Sequence, residues 1–210
     1  MIVFRRNGPR AAILALALAL ILTLVSCAYG AGSAVPTGER MDILSMELSA
    51  LEKYVEIGQY KELDIALDGR SRGEAVWAAV AEGSEMKLYP EDQVYYYVEQ
   101  IRAEYRYHAQ KSGMSYEDML EQLGVDEGDI LREAKELTKG DLLYAVVQKR
   151  ESIALTEEEK QTLFDRYVDK YVSEYGYTEE YVSENLSDEI YGSMLYDKTT
   201  EFLIVNNSFS

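Results

Sequence analysis

The sequence offers little for covalent or metal chemistry: one thiol, one imidazole and a surplus of carboxylates and phenols. Cys27 is the only cysteine and His108 the only histidine. A catalytic triad or a zinc site needs several such groups, so each stands without its usual partners. His108 follows Ile101 and Tyr105 at helical spacing and is expected to be a packing or boundary residue. The acids gather at Glu157 to Glu159, Glu179-Glu180 and Asp188-Glu189. All three clusters fall near expected helix starts, where negative charge favours the helix dipole, and that role accounts for them. No calcium-loop spacing, glycine-rich phosphate loop or Gly-x-Ser-x-Gly elbow occurs. No catalytic residue, metal ligand or cofactor site is therefore assigned.

The phenols are more promising. Eighteen tyrosines give the chain many side chains with a broad apolar face and a polar tip, which suits adaptable binding of varied partners. Tyr95, Tyr96 and Tyr97 are consecutive, and on a helix they point about 100° apart. With Val94, Val98 and Ile101 marking the buried side, Tyr97 is expected to pack, while Tyr96 and Tyr107 lie on another side. Tyr167, Tyr171 and Tyr175 recur at helical spacing. Tyr96, Tyr107, Tyr167, Tyr171 and Tyr175 are the candidate binding residues, and ordinary packing is the competing role for each. Met86, Met114, Met119 and Met194 could add pliable surface or simply fill gaps.

Cys27 belongs to a different function. Arg5, Arg6 and Arg10 precede an apolar run that begins at Ala11, and small residues follow at Ala28, Gly30 and Ala31, the three-part layout of a secretion signal. The run is shorter than the about 20 residues a membrane-spanning helix needs. Leu24-Val25-Ser26-Cys27 places a large aliphatic residue three positions before the cysteine and resembles the bacterial lipobox. That motif implies cleavage before Cys27 and a diacylglyceryl group on its sulfur. The alternative is a free cysteine in an ordinary signal or membrane anchor. The expected address is the extracytoplasmic side of a bacterial cell membrane, held there by lipid. Removing residues 1–26 takes away three arginines and no acid, so the net charge falls from -17 to -20. Nucleic acid is an improbable partner for so acidic a chain.

The remaining segment reads as mostly helical, with three prolines in the whole chain and few β-branched alternations. Residues 27–38 are small and polar, a flexible tether. A leading helix is expected over 39–58, from Met41, Leu44, Leu48, Leu51 and Val55 at spacings of three and four, with Gly58 as its stop. Tyr60 to Leu67 alternates like a short strand. Asp68 to Gly73 is a loop, and Glu74 to Ala81 a short helix around Trp77, an expected core anchor. Pro90 opens a helix that runs to about Lys111. Ser115 with Asp118 starts a short helix ending at Gly124, and Asp126 begins a longer one reaching about Ile153, weakened midway by Gly140. Thr156 with Glu159 forms a capping box for a helix that stops at Gly176, and a last helix covers Asp188 to Val205.

In that order the signals resemble the carboxy-terminal domain of trigger factor. The matching residues begin with Tyr60-Lys61-Glu62-Leu63-Asp64-Ile65, Val76-Trp77 with Val80, and Tyr89-Pro90-Glu91 with Val94. They continue through Tyr105, Ala109, Gly113-Met114-Ser115, Ala134-Lys135-Glu136 and Thr156-Glu157-Glu158-Glu159. Tyr171, Tyr175, Gly176, Asp197-Lys198, Phe202-Leu203 and Asn206 complete the set. The resemblance implies a mostly α fold over 59–210, an extended multi-helix cradle with long arms and at most one short strand segment. It also implies an ATP-independent chaperone that holds unfolded or nascent secreted polypeptides, with no cofactor. SurA-like helical chaperones use a related arrangement. Where trigger factor inserts an isomerase domain this chain has Asp68 to Gly73, and its amino terminus reads as a signal and not as a ribosome-docking domain. Isomerase activity and a ribosome partner are therefore not expected. Two other readings remain open: a prolyl isomerase relative with a residual or assisting role, and a structural or adhesion lipoprotein with one fixed partner.

Overall fold

The computed structural model describes residues 40–210. The signal segment, Cys27 and the tether lie outside the described residues, as does the side chain of Tyr175.

Helix ends in this chain are written by local chemistry. In α3 (Glu91–Ser112) the N-cap is Pro90 at φ -68°, and Glu91 and Asp92 occupy the first turn. It ends at Gly113, whose φ of 70° is the left-handed cap that glycine adopts without a Cβ clash. In α4 (Tyr116–Leu123) the Ser115 hydroxyl accepts from the Asp118 amide at 3.0 Å. Asp126 and Asp129 exchange reciprocal side-chain to backbone bonds at the start of α5 (Glu127–Arg150), which runs unbroken through Gly140. Thr156 and Glu159 do the same for α6 (Glu157–Tyr175), which ends at Gly176. Thr178 caps α7 (Glu179–Asn185), and α8 comes next as Ser187–Val205.

The amino-terminal part departs from expectation. In place of one helix over 39–58 there is a 3-10 turn at Ile43–Ser45, a single turn of α-helix, α1 (Leu48–Leu51), and then strand β1 (Val55–Glu56). β1 pairs antiparallel with β3 (Glu85–Met86), just after α2 (Arg72–Glu82). Two physical facts override the helical spacing. Val55 and Ile57 are buried while Glu56 is exposed, so the end of the segment obeys a period of two. The backbone at Gly58 also lies against Gly83, where a Cβ would sit 2.1 Å from the Gly83 carbonyl oxygen. The strand-like alternation after Tyr60 yields β2 (Asp64–Ile65), whose parallel partner is β4 (Ser208–Phe209) at the far end of the chain. Among the described residues four short strands thus stand where at most one strand segment was expected, because each pairs with a partner distant in sequence, and the fold remains mostly α.

Packing divides the described residues into a body and two helical arms. The body is one cluster: Ile43, Leu51, Val55 and Ile65 meet Trp77, Val80, Leu142, Val146 and Leu203. The segment before residue 59 therefore shares one core with the rest of the body. Trp77 anchors this core as expected, stacked on Tyr196 with centroids 5.8 Å apart and donating its indole N–H to Thr200 Oγ1 at 2.8 Å. Arm one packs α3 against α4 and the first half of α5 around Val94, Val98, Ile101, Leu120, Ile130 and Leu137. Arm two packs α6, α7 and the first half of α8 around Val168, Val182, Leu186, Ile190 and Met194. Thus α5 and α8 each begin in an arm and finish in the body, which carries both arms on continuous helices.

Candidate functional site

Among the described residues no group of His, Cys, Asp or Glu is arranged to hold a metal ion. His108 is neither the packing nor the boundary residue expected of its spacing: its side chain is 58% exposed, with Nε2 3.7 Å from a Glu104 carboxylate oxygen. The buried side of α3 runs through Val94, Tyr97, Val98 and Ile101 and resumes at Ala109, leaving His108 outside it. No helix among the described residues is long and apolar enough to cross a membrane. What the surface does present is exposed aromatic and aliphatic side chains, at Tyr95, Tyr107, Leu123, Leu131 and Tyr181 on the arms and at Leu44, Leu88 and Val205 outside them.

The three consecutive tyrosines show how that surface arises. Gln93, Val94, Tyr97, Val98 and Ile101 are buried, and about 100° per residue puts Tyr95 and Tyr96 at similar angles to either side of that arc. The helix alone does not choose between them. The chain entering from Arg40 decides: the Met41 amide donates to Gln93 Oε1 at 3.0 Å, and the Arg40 guanidinium lies 6.0 Å from the Tyr96 ring centroid. Tyr96 is half-buried beneath it, edge-on to Tyr97. Tyr95 is left 55% exposed, although the sequence pattern singled out Tyr96. Tyr107 is 38% exposed as expected, with the Lys111 ammonium 5.4 Å from its ring centroid.

In arm two the candidates move inward. Tyr167 and Tyr171 are 8% and 7% exposed and belong to the arm's core. The Tyr167 hydroxyl donates to the Asp197 carboxylate, and burial together with that bond raises its pKa. Their spacing of four residues is the spacing of a buried stripe, so both are corrected from surface to core; Tyr175 has no described side chain. Among the described side chains of this arm the accessible aromatic is Tyr181, stacked on Tyr177 at 5.2 Å. Its signal is Thr178 with an acidic first turn, which marks a helix presenting Tyr181 one turn later. Arm one adds Leu123 at the end of α4 and Leu131 in the first turns of α5, both exposed. Met119 and Met194 fill core positions.

Three sets of polar contacts hold these surfaces in place. Asp141, largely withdrawn from water where arm one meets the body, accepts from the Tyr97 hydroxyl at 2.6 Å and from Gln93 Nε2 at 2.8 Å, with Arg40 Nη2 at 3.7 Å. Burial pushes its pKa up, against the pull of Arg40 and the two donors. Arg102 on α3 bridges Glu99 and Glu127, fastening the start of α5. Lys198 on α8 donates to the Ala154 carbonyl and the Glu159 carboxylate, which ties the α5–α6 loop to α8. The Lys198 ammonium and the Thr156 cap hold Glu159 down at about 2. The result is a rigid interior with scattered apolar side chains outside it, an arrangement suited to many weak contacts with a disordered partner.

Over 143 residues the chain is 29% identical to trigger factor from Clostridioides difficile (strain 630), a match covering 66% of this chain and 33% of that protein. The chain thus spans about a third of the length of that relative. No protein-family model and no solved structure matches it.

Proposed function

From that distant likeness, we propose that the protein is an ATP-independent chaperone of the holdase type, binding unfolded secreted polypeptides through the apolar side chains of its arms. The observation that carries the reading is the likeness to trigger factor over 66% of the chain, an extent longer than either arm or the body alone. The exposed Tyr95, Tyr107, Leu123, Leu131 and Tyr181 support it, since a client without fixed structure can be held by dispersed aromatic and aliphatic contacts. The acidic surface keeps the holder soluble and repels its own copies.

The anchor is part of the same proposal. A diacylglyceryl group on Cys27 would hold the body on the outer face of the bacterial cell membrane, where secreted chains emerge. Light scattering of a chemically denatured client, with and without the full chain in lipid nanodiscs, tests the holdase reading. Suppression at stoichiometric amounts is expected, and unchanged aggregation at several-fold excess overturns it. Cys27→Ala should shift the protein from the membrane to the soluble fraction; retention at the membrane would refute the lipid anchor.

A further inference from the structure

We propose that the body carries a second binding site, separate from the arms: the open edge of β2, which takes up an extended, basic polypeptide segment as an added strand. In the parallel pair of β2 and β4, the odd-numbered residues turn their backbone groups toward β4. Leu63 O accepts from Ser208 N, Ile65 O accepts from Ser210 N, and Leu67 N donates to Ser210 O. Asp64 and Ala66 therefore turn their N–H and C=O groups to the opposite side, and among the described residues nothing pairs with them. An uncapped strand edge is a template for another chain; neither a lysine nor a proline stands on β2, and its two-residue length limits the pairing to a short segment.

Here the edge opens onto space. A cavity of about 580 Å³ lies between β2 and α2, lined by Asp64, Ile65 and Ala66 on one side and Ala75 and Ala79 on the other. Ala75 and Ala79 are one helical turn apart on the same face; Ala75 is buried in the body's core and Ala79 is half-buried, so the helix offers no bulky side chain on that side. From Ala75 to Gly83, a lining residue near the end of the cleft, the helix advances about 12 Å at 1.5 Å per residue. That length accepts three or four extended residues at about 3.3 Å each.

Charge identifies the occupant. Asp64, Asp68 and Glu82 line the cavity against one cation, Arg70, which is already 3.6 Å from Asp68. An incoming strand with lysine or arginine at alternate positions would meet acids while its main chain pairs with Asp64 and Ala66. This is recognition by strand addition, in which backbone bonds supply affinity and side-chain charge supplies selectivity. It is read out independently of client aggregation, so failure of either proposal leaves the other standing.

The test uses the full chain in nanodiscs and a fluorescein-labelled octapeptide alternating lysine and valine, monitored by anisotropy. Two further peptides carry N-methyl groups on the lysine or on the valine amides, which removes one edge or the other from pairing. One of the two should bind at least tenfold more weakly, and a glutamate–valine peptide should also lose at least tenfold. Amide exchange at Asp64 and Ala66 should slow at least tenfold when the lysine–valine peptide is added. Ala79→Trp, which fills the groove, should abolish that protection. Equal binding of both N-methylated peptides, or no protection at Asp64 and Ala66 in the unmodified protein, overturns strand addition. Equal binding of the acidic peptide overturns the charge assignment. Protection that rises with protein concentration in the absence of peptide would mean that a second copy is the occupant, and would overturn the proposal as well.

Discussion

Asp141 is the residue on which most of the long-range order of arm one converges, because α3, α5 and the incoming chain at Arg40 all reach it. A carboxylate taken out of water is costly, and the Tyr97 and Gln93 donors with Arg40 offset only part of that cost, so its folded-state pKa stands above the ordinary value. By linkage, a raised folded pKa means that the native state binds the proton more tightly than the unfolded chain does. This group's contribution to stability therefore grows as pH falls through the folded pKa and is lost again as pH rises. Urea denaturation at several pH values between 7 and 4, compared with Asp141→Asn, should show the wild type gaining on the variant toward acid; the opposite trend would refute the upward shift. Sequence periodicity found Tyr97 as a packing residue. It found neither its acceptor, 44 positions away, nor the choice between Tyr95 and Tyr96, because both depend on a segment that packs from outside the helix.

At the scale of elements, the helices were legible wherever their ends are chemical. Pro90, Ser115, Asp126 and Thr156 each satisfy or dispense with orphan amides within three residues, so each start could be read from four letters. Thr156→Ala removes the acceptor for the Glu159 amide and should cost about 1 kcal/mol in stability, with far-UV circular dichroism nearly unchanged. A cost near zero would show that Lys198 alone holds the α5–α6 loop. The segment over 39–58 was not legible, since its spacings of three and four describe a helix that the body's core does not admit. Its last apolar residues are consumed by a strand pair with Glu85–Met86, about 30 positions on, and by the close approach of Gly58 to Gly83. Strand pairing is a tertiary contact, and local propensity yields to it.

At the largest scale the described residues form a body with two helical arms, and the proposed function assigns different tasks to them: the arms hold, the body positions. Tyr95→Ser combined with Tyr107→Ser should reduce suppression of client aggregation by half or more while leaving thermal stability nearly unchanged, because exposed positions away from special features contribute within about 0.5 kcal/mol. Full suppression by that double variant would shift the holding surface to Leu123, Leu131 and Tyr181. The same substitutions at Tyr167 and Tyr171 would be uninformative about binding, since they unpack the core of arm two.

By itself the sequence determined the mostly helical class, the limits of the helices from Pro90 onward other than α7, the core role of Trp77 and the likeness to trigger factor. All of these rest on caps, periodicity and short motifs, interactions that close within a few residues. The tertiary structure alone decided that Tyr167 and Tyr171 are interior, that Tyr95 and not Tyr96 is the open ring, and that the two ends of the body meet. The Asp64–Ser208 pairing joins residues 144 positions apart. No local pattern encodes such a contact, because its stabilisation comes from burying a shared core and not from the segments' own preferences.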